Sequence, residues 1–462
     1  MARLLAKEDV STAGQLLRDG GLVSFPTETV YGLGANALSR DACLKIFVAK
    51  KRPLTDPLIV HIPSLADALP LVDFGTPGSE RHDEAKGIFE HLAATFWPGP
   101  LTIVAKAAAA IPSEITAGTG FVGLRHPRHP LAQRMLEEAK VPVAAPSANL
   151  HGHVSPTTAQ HVMDDLFESD VAVLDGGSCV DESVEDSVGI ESTVAKVDAD
   201  ARRIVIFRRG GISQQALEAA VRAGGFSGFE VELRTAVVKS SLDNEGGSGG
   251  VDATGGDGGE EKGEGEKAEA EEPAVGMEAP GQLLTHYAPN VTTYLLDVAA
   301  AAEGAGGAAE GDAAASAAGA SSLVGVEQSV VLDFGAVAKG LEGRALAYRD
   351  LSPDGTVPTA TKALFEALRW AESVEGAQQV LLVDLERLVS KEGGEGGKGG
   401  GVAAMGGEGG EGGKGGEGGE CGVLRSMLDS DEHAPALYDR MFRSASGKKV
   451  GVEVVSAKLR RL

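Results

Sequence analysis

Short polar motifs follow several of the predicted strands in the first half of the chain. They are Phe25-Pro-Thr-Glu-Thr-Val-Tyr-Gly-Leu-Gly34, Lys50-Lys-Arg-Pro53, His61, Phe96-Trp-Pro-Gly-Pro-Leu-Thr102, Arg125, Pro146-Ser-Ala-Asn149, Glu191-Ser-Thr193 and Arg208. An arginine offers a planar fork to phosphate or carboxylate, and a lysine offers a point charge. Serine hydroxyls and asparagine amides orient a polar ligand. Because the carboxyl ends of strands are where α/β folds build their sites, these motifs together predict a site for anions.

The residue types favour positioning and electrostatics over covalent catalysis. The chain has no Ser-His-Asp arrangement, no evident cysteine nucleophile, no GxxxxGK[ST] phosphate loop and no HExxH zinc motif. The residue set therefore suits the binding and positioning of an anionic ligand.

Each motif alone has a simpler interpretation. Lys50 and Arg52 could be a solvated helix end, His61 a core histidine, and Ser147 and Asn149 a turn or helix cap. Two further patterns carry little weight. Gly32–Ala37 fits GxGxxA but lacks an acidic residue at the end of the next strand, and Gly246–Gly250 fits GxSxG inside an acidic, glycine-rich tract. His151 and His153 have no third metal ligand nearby, so solvated loop histidines are the simpler assignment.

The first half alternates strand and helix patterns. Runs rich in apolar residues at Gly21–Phe25, Pro57–Ile62, Leu101–Lys106, Val122–Arg125, Val141–Asn149, Val171–Gly177, Ser192–Val197 and Arg203–Gly210 predict strands. Helical spacing of apolar residues predicts helices around residues 42–52, 83–95, 131–140 and 157–166. Since several strands follow one another without a helix, the pattern predicts an α/β domain with a mixed sheet.

The composition changes after about residue 230. From Val237 to Pro280 the net charge is -9, with glycine and serine interleaved, which predicts a disordered linker. Patterned sequence resumes at Leu283 and is interrupted by an Ala/Gly stretch, Ala299–Ser321, and a Gly/Glu tract, Glu392–Gly422, both predicted to be expanded loops. The prediction is a first domain over 1–230, a linker and lid over 231–290, and a smaller Rossmann-like α/β domain over 291–462.

Charge and cysteine content narrow the classes of protein. The formal net charge of -25 argues against a generic polyanion binder, although a local basic groove is compatible with it. Cys43, Cys179 and Cys421 form no CxxC pair, so neither a disulfide framework nor a cysteine zinc site is indicated. No apolar run approaches the ~18 residues of a membrane helix, and the first residues lack a signal-peptide pattern. We therefore expect a cytoplasmic protein without membrane contact.

The motifs PTETVYGLG, KxRP, PLIVH, WPGPLT, PSAN and GIEST, in this order, resemble those of the YrdC-like family of threonylcarbamoyl-AMP synthases in its long, two-domain form. The resemblance extends almost continuously from Ala13 to Gly211. It resumes at Pro280-Gly281 and at His286-Tyr-Ala-Pro289, while the remainder of the second half resembles the family weakly.

The resemblance implies a twisted mixed sheet with a central cavity in the first domain, and roles for individual residues. It assigns the threonine site to Thr29, His61, Arg125, the backbone of Ala145, and Ser192, with Arg125 pairing the carboxylate of the amino acid. It assigns the catalytic contacts with the triphosphate to Lys50 and Arg52. It assigns further ATP contacts to Asp56, Phe121, Ser147, Asn149, Ser155 and Arg208, and a lid role over the nucleotide to Tyr287. It also implies Mg²⁺ bound with ATP, for which the sequence names no protein ligands.

The reaction implied by the resemblance joins L-threonine, bicarbonate and ATP into threonylcarbamoyl-adenylate and pyrophosphate. A partner threonylcarbamoyl transferase complex would pass the group to tRNA beside the anticodon. Two alternative functions stay open to comparison with this reaction. The same fold could serve as a non-catalytic double-stranded RNA or tRNA-binding module. A relative acting on carbamoyl phosphate would need an acylphosphatase domain and zinc-finger cysteines, and this chain has neither.

Overall fold

The computed structural model describes residues 1–180, 189–234, 276–280, 287–297, 325–385, 431–453 and 458–461. Most of the predicted linker, the Ala299–Ser321 stretch, the Glu392–Gly422 tract and His286 lie outside these residues. Within the described part of the chain, no helix is long and apolar enough to cross a membrane. The domain boundaries given above stay predictions.

The first of two sheets has eleven strands in the order β1-β8-β2-β3-β7-β4-β6-β5-β9-β10-β11. Neighbouring strands of this sheet pair in both directions. The pairs β2–β3, β3–β7, β4–β7, β5–β6 and β9–β10 are antiparallel, and the other five pairs are parallel. The strands are β1 Arg3–Leu5, β2 Leu22–Phe25, β3 Gly32–Asn36, β4 Ile59–His61, β5 Leu101–Lys106, β6 Phe121–Arg125, β7 Val143–Ala144, β8 Val171–Leu174, β9 Thr193–Asp198, β10 Arg203–Arg208 and β11 Glu230–Leu233. The predicted mixed α/β class is confirmed.

Seven helices of the described residues accompany this sheet. They are α1 Val10–Arg18, α2 Arg40–Lys50, α3 Leu65–Ala68, α4 Glu80–Phe96, α5 Pro130–Ala139, α6 Ala159–Leu166 and α7 Gln214–Ala223. Local sequence sets their ends. Ser39 caps α2 by accepting from the Ala42 amide, and the left-handed Lys51 (φ 53°) ends it, with the Arg52 amide donating to the Phe47 carbonyl at 2.9 Å. This turn brings Arg52 back toward the sheet.

The second sheet is parallel except at one edge, in the order β14-β13-β15-β12-β16-β17. Its strands are β12 Thr293–Asp297, β13 Ser329–Asp333, β14 Ala347–Asp350, β15 Gln379–Val383, β16 Lys449–Glu453 and β17 Lys458–Arg461, and its helices are α8 Val357–Ser373 and α9 Ala434–Ser444. Apolar runs at Val291–Val298, Ser329–Gly335 and Gln379–Leu385 indicate β12, β13 and β15, and helical spacing at Thr359–Ser373 and Ala434–Gly447 indicates both helices. A small parallel sheet covered by helices is therefore the observed architecture.

The two sheets share a core where they meet. Val30, Val154 and Ile190, which belong to the first sheet's loops, pack in one buried cluster with Tyr287 and the apolar side of α8. Gly189 (φ 73°) lies so close to α8 that an added Cβ would stand 2.5 Å from the Lys362 Cα. Only glycine combines this backbone conformation with so close an approach.

Candidate active site

A cavity of about 50 Å³ opens where strands of the first sheet end. Arginines from three separate segments line it: Arg52 after α2, Arg125 at the end of β6 and Arg208 at the end of β10. All three are buried. The other lining residues are Thr27, Thr29, Val30, Gly32, Pro57, Ile59, His61, Ala145, Pro146, Ser147, Glu191, Ser192 and Pro280. Three buried cations at one cavity make it a site for anionic groups.

Arg125 is held by Glu28 and retains part of its guanidinium for a ligand. Its Nη2 donates to Glu28 Oε1 at 2.6 Å and to Thr29 Oγ1 at 3.0 Å. The buried Nε has no hydrogen-bond partner among the described residues. Burial raises the pKa of Glu28, but the Arg125 charge and hydrogen bond outweigh it, so the pKa is lowered and the carboxylate stays ionised. An arginine so oriented can pair a ligand carboxylate.

His61 faces the same cavity as a neutral group. It ends β4 in register with Arg125 on β6, and its ring meets Phe25 edge-on at 5.9 Å between centroids. Burial, and then the Arg125 charge, lower the pKa of His61 to about 3. Nδ1 is buried and has no hydrogen-bond partner among the described residues. The ring can therefore give or accept a hydrogen bond without adding charge.

The Glu191-Ser-Thr193 motif is bound to Arg208. Nε and Nη2 of Arg208 donate to the Ser192 carbonyl at 3.1 and 3.0 Å, and the Ser192 hydroxyl lies 2.8 Å from the Thr102 hydroxyl. Ala145 contributes backbone to the cavity wall, and its amide donates to the Ile59 carbonyl at 2.7 Å. All five residues of the predicted threonine set line the cavity.

Lys50 lies behind the cavity wall. Its ammonium group donates to the Ser147 carbonyl at 2.6 Å and to the Asn149 carbonyl, and its side chain is buried. Burial, with the Arg52 charge, lowers the pKa of Lys50 well below its ordinary value. In this conformation Lys50 supports the Pro146–Asn149 segment, and only Arg52 of the predicted catalytic pair reaches the cavity.

The predicted ATP contacts are divided. Arg52, Ser147 and Arg208 line the cavity. Asp56 forms a buried ion pair with Arg52 at 2.8 Å, and Ser155 donates to Glu191 Oε1 at 2.6 Å. The Asn149 amide donates to the Leu150 and His153 carbonyls at 2.7 Å, while its Oδ1 is buried with no hydrogen-bond partner among the described residues. These three therefore form the layer behind the lining.

Two predicted contacts lie apart from the cavity. Phe121 begins β6, whose other end carries Arg125, so about 13 Å of strand separates them. It lines a second, open cavity, where the Lys196 ammonium lies 3.6 Å from its ring centroid. Tyr287 is fully buried between Phe365, with ring centroids 5.6 Å apart, and Arg440. Their nucleotide and lid roles stay predictions.

Three participants were not assigned from the sequence. Glu28 lies within PTETVYGLG, three residues after the end of β2, and its carboxylate pairs with the cavity arginine Arg125. Glu191, part of the EST motif, lines the cavity beside Ser192. Arg440 lies on α9 and contacts Glu191, which is 249 residues earlier in the chain. Local sequence patterns do not predict such a long-range contact.

The described side chains at the cavity do not make up a metal-binding site. Among the residues that the structure describes, no three His, Cys, Asp or Glu side chains come together as a metal cluster. Glu28, Asp56 and Glu191, the carboxylates at or beside the cavity, each lie within 2.8 Å of an arginine nitrogen. A Mg²⁺ ion held by protein carboxylates does not fit this arrangement, because their charge is already paired.

Comparison with known families matches both halves of the chain. The model of the Sua5/YciO/YrdC family, described as telomere recombination, matches residues 15–210. The model of the threonylcarbamoyl-AMP synthase C-terminal domain matches residues 231–398. The chain belongs to the Sua5/YciO/YrdC family, in its two-domain form.

Curated relatives and a solved structure agree with this assignment. A threonylcarbamoyl-AMP synthase of Pyrococcus abyssi is 39% identical over 51% of this chain and 61% of its own length. One of Bacillus subtilis is 43% identical over 46% of this chain and 56% of its own length. The sequence match thus spans somewhat more than half of these relatives. The crystal structure of P. abyssi Sua5 complexed with L-threonine superposes with a TM-score of 0.61, at 25% identity, over 98% of this chain and 100% of that one.

Proposed function

We propose that this protein is a threonylcarbamoyl-AMP synthase. The substrates would be L-threonine, bicarbonate and ATP, and the products L-threonylcarbamoyl-adenylate, pyrophosphate and water. The observation that carries the proposal is the guanidinium of Arg125, held by Glu28 and Thr29 with its Nε unpartnered, at a cavity that two further buried arginines line. The curated names of the relatives and the threonine-bound P. abyssi structure support it.

Arg125 would bind the carboxylate of threonine. A planar fork and a carboxylate match in geometry, and burial strengthens the pair by excluding water. The neutral His61 and the hydroxyls of Thr29 and Ser192 would orient the amine and hydroxyl of the amino acid without adding a competing charge. Glu28 stays ionised and prevents rotation of the guanidinium.

Arg52 and Arg208 would bind the phosphates of ATP. The two guanidinium groups lie within electrostatic range of each other, and Ser147 lines the same cavity. Burial lowers the pKa of each guanidinium from its ordinary value. The negative charge of an incoming polyphosphate would offset this cost.

The chemistry needs positioning more than covalent help. The threonine nitrogen attacks the bicarbonate carbon, and loss of water leaves a carbamate. A carbamate oxygen then attacks the α-phosphorus in line, the new O–P bond forms as the bond to the β-phosphate oxygen breaks, and pyrophosphate leaves. Arg52 and Arg208 would stabilise the negative charge on the phosphoryl oxygens during this step.

Other expectations stay proposals. Mg²⁺ would enter with the phosphates of ATP, and no step above depends on it. The adenylate would pass to a threonylcarbamoyl transferase complex that modifies tRNA. The cytoplasmic location predicted from the sequence is part of the same proposal.

Pyrophosphate release tests the proposed activity. We expect release from ATP only when L-threonine and bicarbonate are both present, and little release when L-valine replaces threonine. Arg203→Lys, at a half-exposed arginine of β10 outside the cavity lining, is the control for changes to the cavity arginines. It should release pyrophosphate as the unmodified protein does. Release that ignores threonine or bicarbonate would overturn the proposal.

A further inference from the structure

Arg440, on the last helix α9, reaches across the junction of the two sheets to the cavity of the first. Its side chain is the largest fully buried side chain of the described residues. Nε donates to Glu191 Oε2 at 2.8 Å, and Nη2 donates to the Arg209 carbonyl at 2.6 Å. Its guanidinium also lies 5.0 Å from the centre of the Tyr287 ring. One side chain therefore links α9, Tyr287 and a cavity-lining carboxylate.

The charges around Arg440 are balanced. Nη1 of Arg440 lies 2.6 Å from Asp439, and Asp439 also pairs with Arg443 at 3.0 Å. Two arginines thus meet two carboxylates, Asp439 and Glu191. If the charge of Arg440 were removed, Asp439 would keep Arg443, whereas Glu191 would keep the hydroxyl of Ser155 and no ion-pair partner among the described residues.

Glu191 is the lining carboxylate of a cavity built for anions. A buried carboxylate without a counter-ion repels a bound phosphate or carboxylate. Glu191 also lies within electrostatic range of Arg208. Without Arg440, its negative charge would compete with the ligand for the charge of Arg208.

We propose that Arg440 is a positioning residue of the active site: it neutralises Glu191 from the second domain and so lets the cavity accept anionic substrates. The inference rests on the proposed function for the identity of those substrates. It gives the second domain a direct part in substrate binding, because Arg440 is the ion-pair partner of Glu191 among the described residues.

A two-by-two set of variants tests the proposal. The proteins are the full chain, Arg440→Met, Glu191→Gln and the double variant, and the readout is the dissociation constant for ATP and for adenosine by calorimetry. We expect Arg440→Met to weaken ATP binding about tenfold or more while adenosine, which carries no charge, changes less than about twofold. In the Glu191→Gln background, Arg440→Met should weaken ATP binding less than about twofold, because no charge at residue 191 is left to neutralise.

Arg369→Met is the matched control. Arg369, on α8, joins the two domains through Asp165 at 3.1 Å and does not contact Glu191. Arg369→Met should change the dissociation constant for ATP by the same factor in the unmodified background and in the Glu191→Gln background. If Arg440→Met fails to fold, Arg440→Gln, which can still donate to Glu191, replaces it in the cycle with the same criterion.

The outcomes separate this inference from the proposed function. Equal losses from Arg440→Met in both backgrounds, equal losses for ATP and adenosine, or no ATP binding by the full chain would each overturn the positioning role. If the cycle behaves as expected but the full chain makes no adenylate, the positioning role stands and the proposed reaction is wrong.

Discussion

Nη2 of Arg52 lies 2.8 Å from Oδ1 of Asp56, and neither side chain is more than 4% exposed. Both residues follow α2, and Arg52 also donates to the carbonyls of Asp56 and Pro57. Burial raises the pKa of Asp56, an effect that the neighbouring Arg52 charge opposes. Arg52, the main candidate for phosphate binding, is thus held by the carboxylate of Asp56 behind the cavity lining.

Asp56→Asn should make the protein less stable without ATP and more strongly stabilised by it. Removing one partner of a buried ion pair costs about 3 kcal/mol, and here Arg52 is left without its counter-ion. ATP would then supply the missing negative charge. The measurement is the melting temperature with and without saturating ATP.

Asp73→Asn is the control for this change, because Asp73 pairs with Lys106 at 2.8 Å on the surface. It should alter neither the melting temperature nor its response to ATP by a comparable amount. An Asp56→Asn protein with an unchanged response to ATP would mean that Arg52 does not bind the phosphates.

Arg125→Lys should raise the KM for threonine about tenfold to a hundredfold and leave the KM for ATP within about twofold. A lysine keeps the charge beside Glu28 but loses the fork that pairs a carboxylate, a loss of about 1.5–3 kcal/mol. Steady-state pyrophosphate release at varied threonine and varied ATP measures both values. Similar increases for the two substrates would assign Arg125 to the phosphates or to structure.

His153 should make stability depend on pH on the alkaline side. Its ring bridges Asp165 and Glu372, each at 2.9 Å. Burial lowers the pKa of His153, but the hydrogen bonds and charges of the two carboxylates outweigh it and raise the pKa from 6.5 to about 9. The stabilisation is complete below about pH 6.5 and disappears as the pH rises through about 9.

Melting temperatures from pH 6 to pH 10 check this expectation. The difference between the unmodified protein and His153→Gln should be largest near pH 6 and close to zero near pH 10. A difference for His153→Gln that stays constant across this range would mean that the imidazole is not charged in the bridge.

Tyr287→Ala should lower the free energy of unfolding by about 3–5 kcal/mol, because a ring packed between Phe365 and Arg440 is removed. Urea unfolding measures this value, with Tyr294→Ala on β12, where the side chain is only partly buried, as the control. If Tyr287→Ala instead keeps full stability and loses only adenylate formation, the ring serves as the lid that the sequence suggested.

The strands and helices with regular apolar spacing were predictable from local sequence. β3 was not, because Gly32 and Gly34 resemble a turn or a dinucleotide loop. In the structure Gly34 lies inside the sheet, where an added Cβ would stand 2.8 Å from the Val143 side chain, so the glycine serves close packing. β16 was missed for a different reason: it pairs with β12, about 150 residues earlier in the chain, and such pairing has no local signature.

The site was predictable to the extent that motifs carry it. Thr29, His61, Arg125, Ala145 and Ser192, which the resemblance to the family assigns to a threonine site, all line one cavity, and their roles stay predictions. The sequence could not reveal which polar groups face the cavity and which support it. Lys50 and Arg52 are two residues apart, yet the first binds carbonyls behind the wall and the second reaches the cavity, since Lys51 turns the chain between them.

The most direct test of the proposed function follows the carbon of bicarbonate. The full chain is incubated with ATP, L-threonine and ¹³C-bicarbonate, and the product is analysed at once by ¹³C NMR and mass spectrometry. The account predicts one labelled carbonyl carbon, bound to the threonine nitrogen and joined through oxygen to the phosphorus of AMP. Label that remains in bicarbonate while pyrophosphate is released, or an adenylate of threonine without the label, would contradict it.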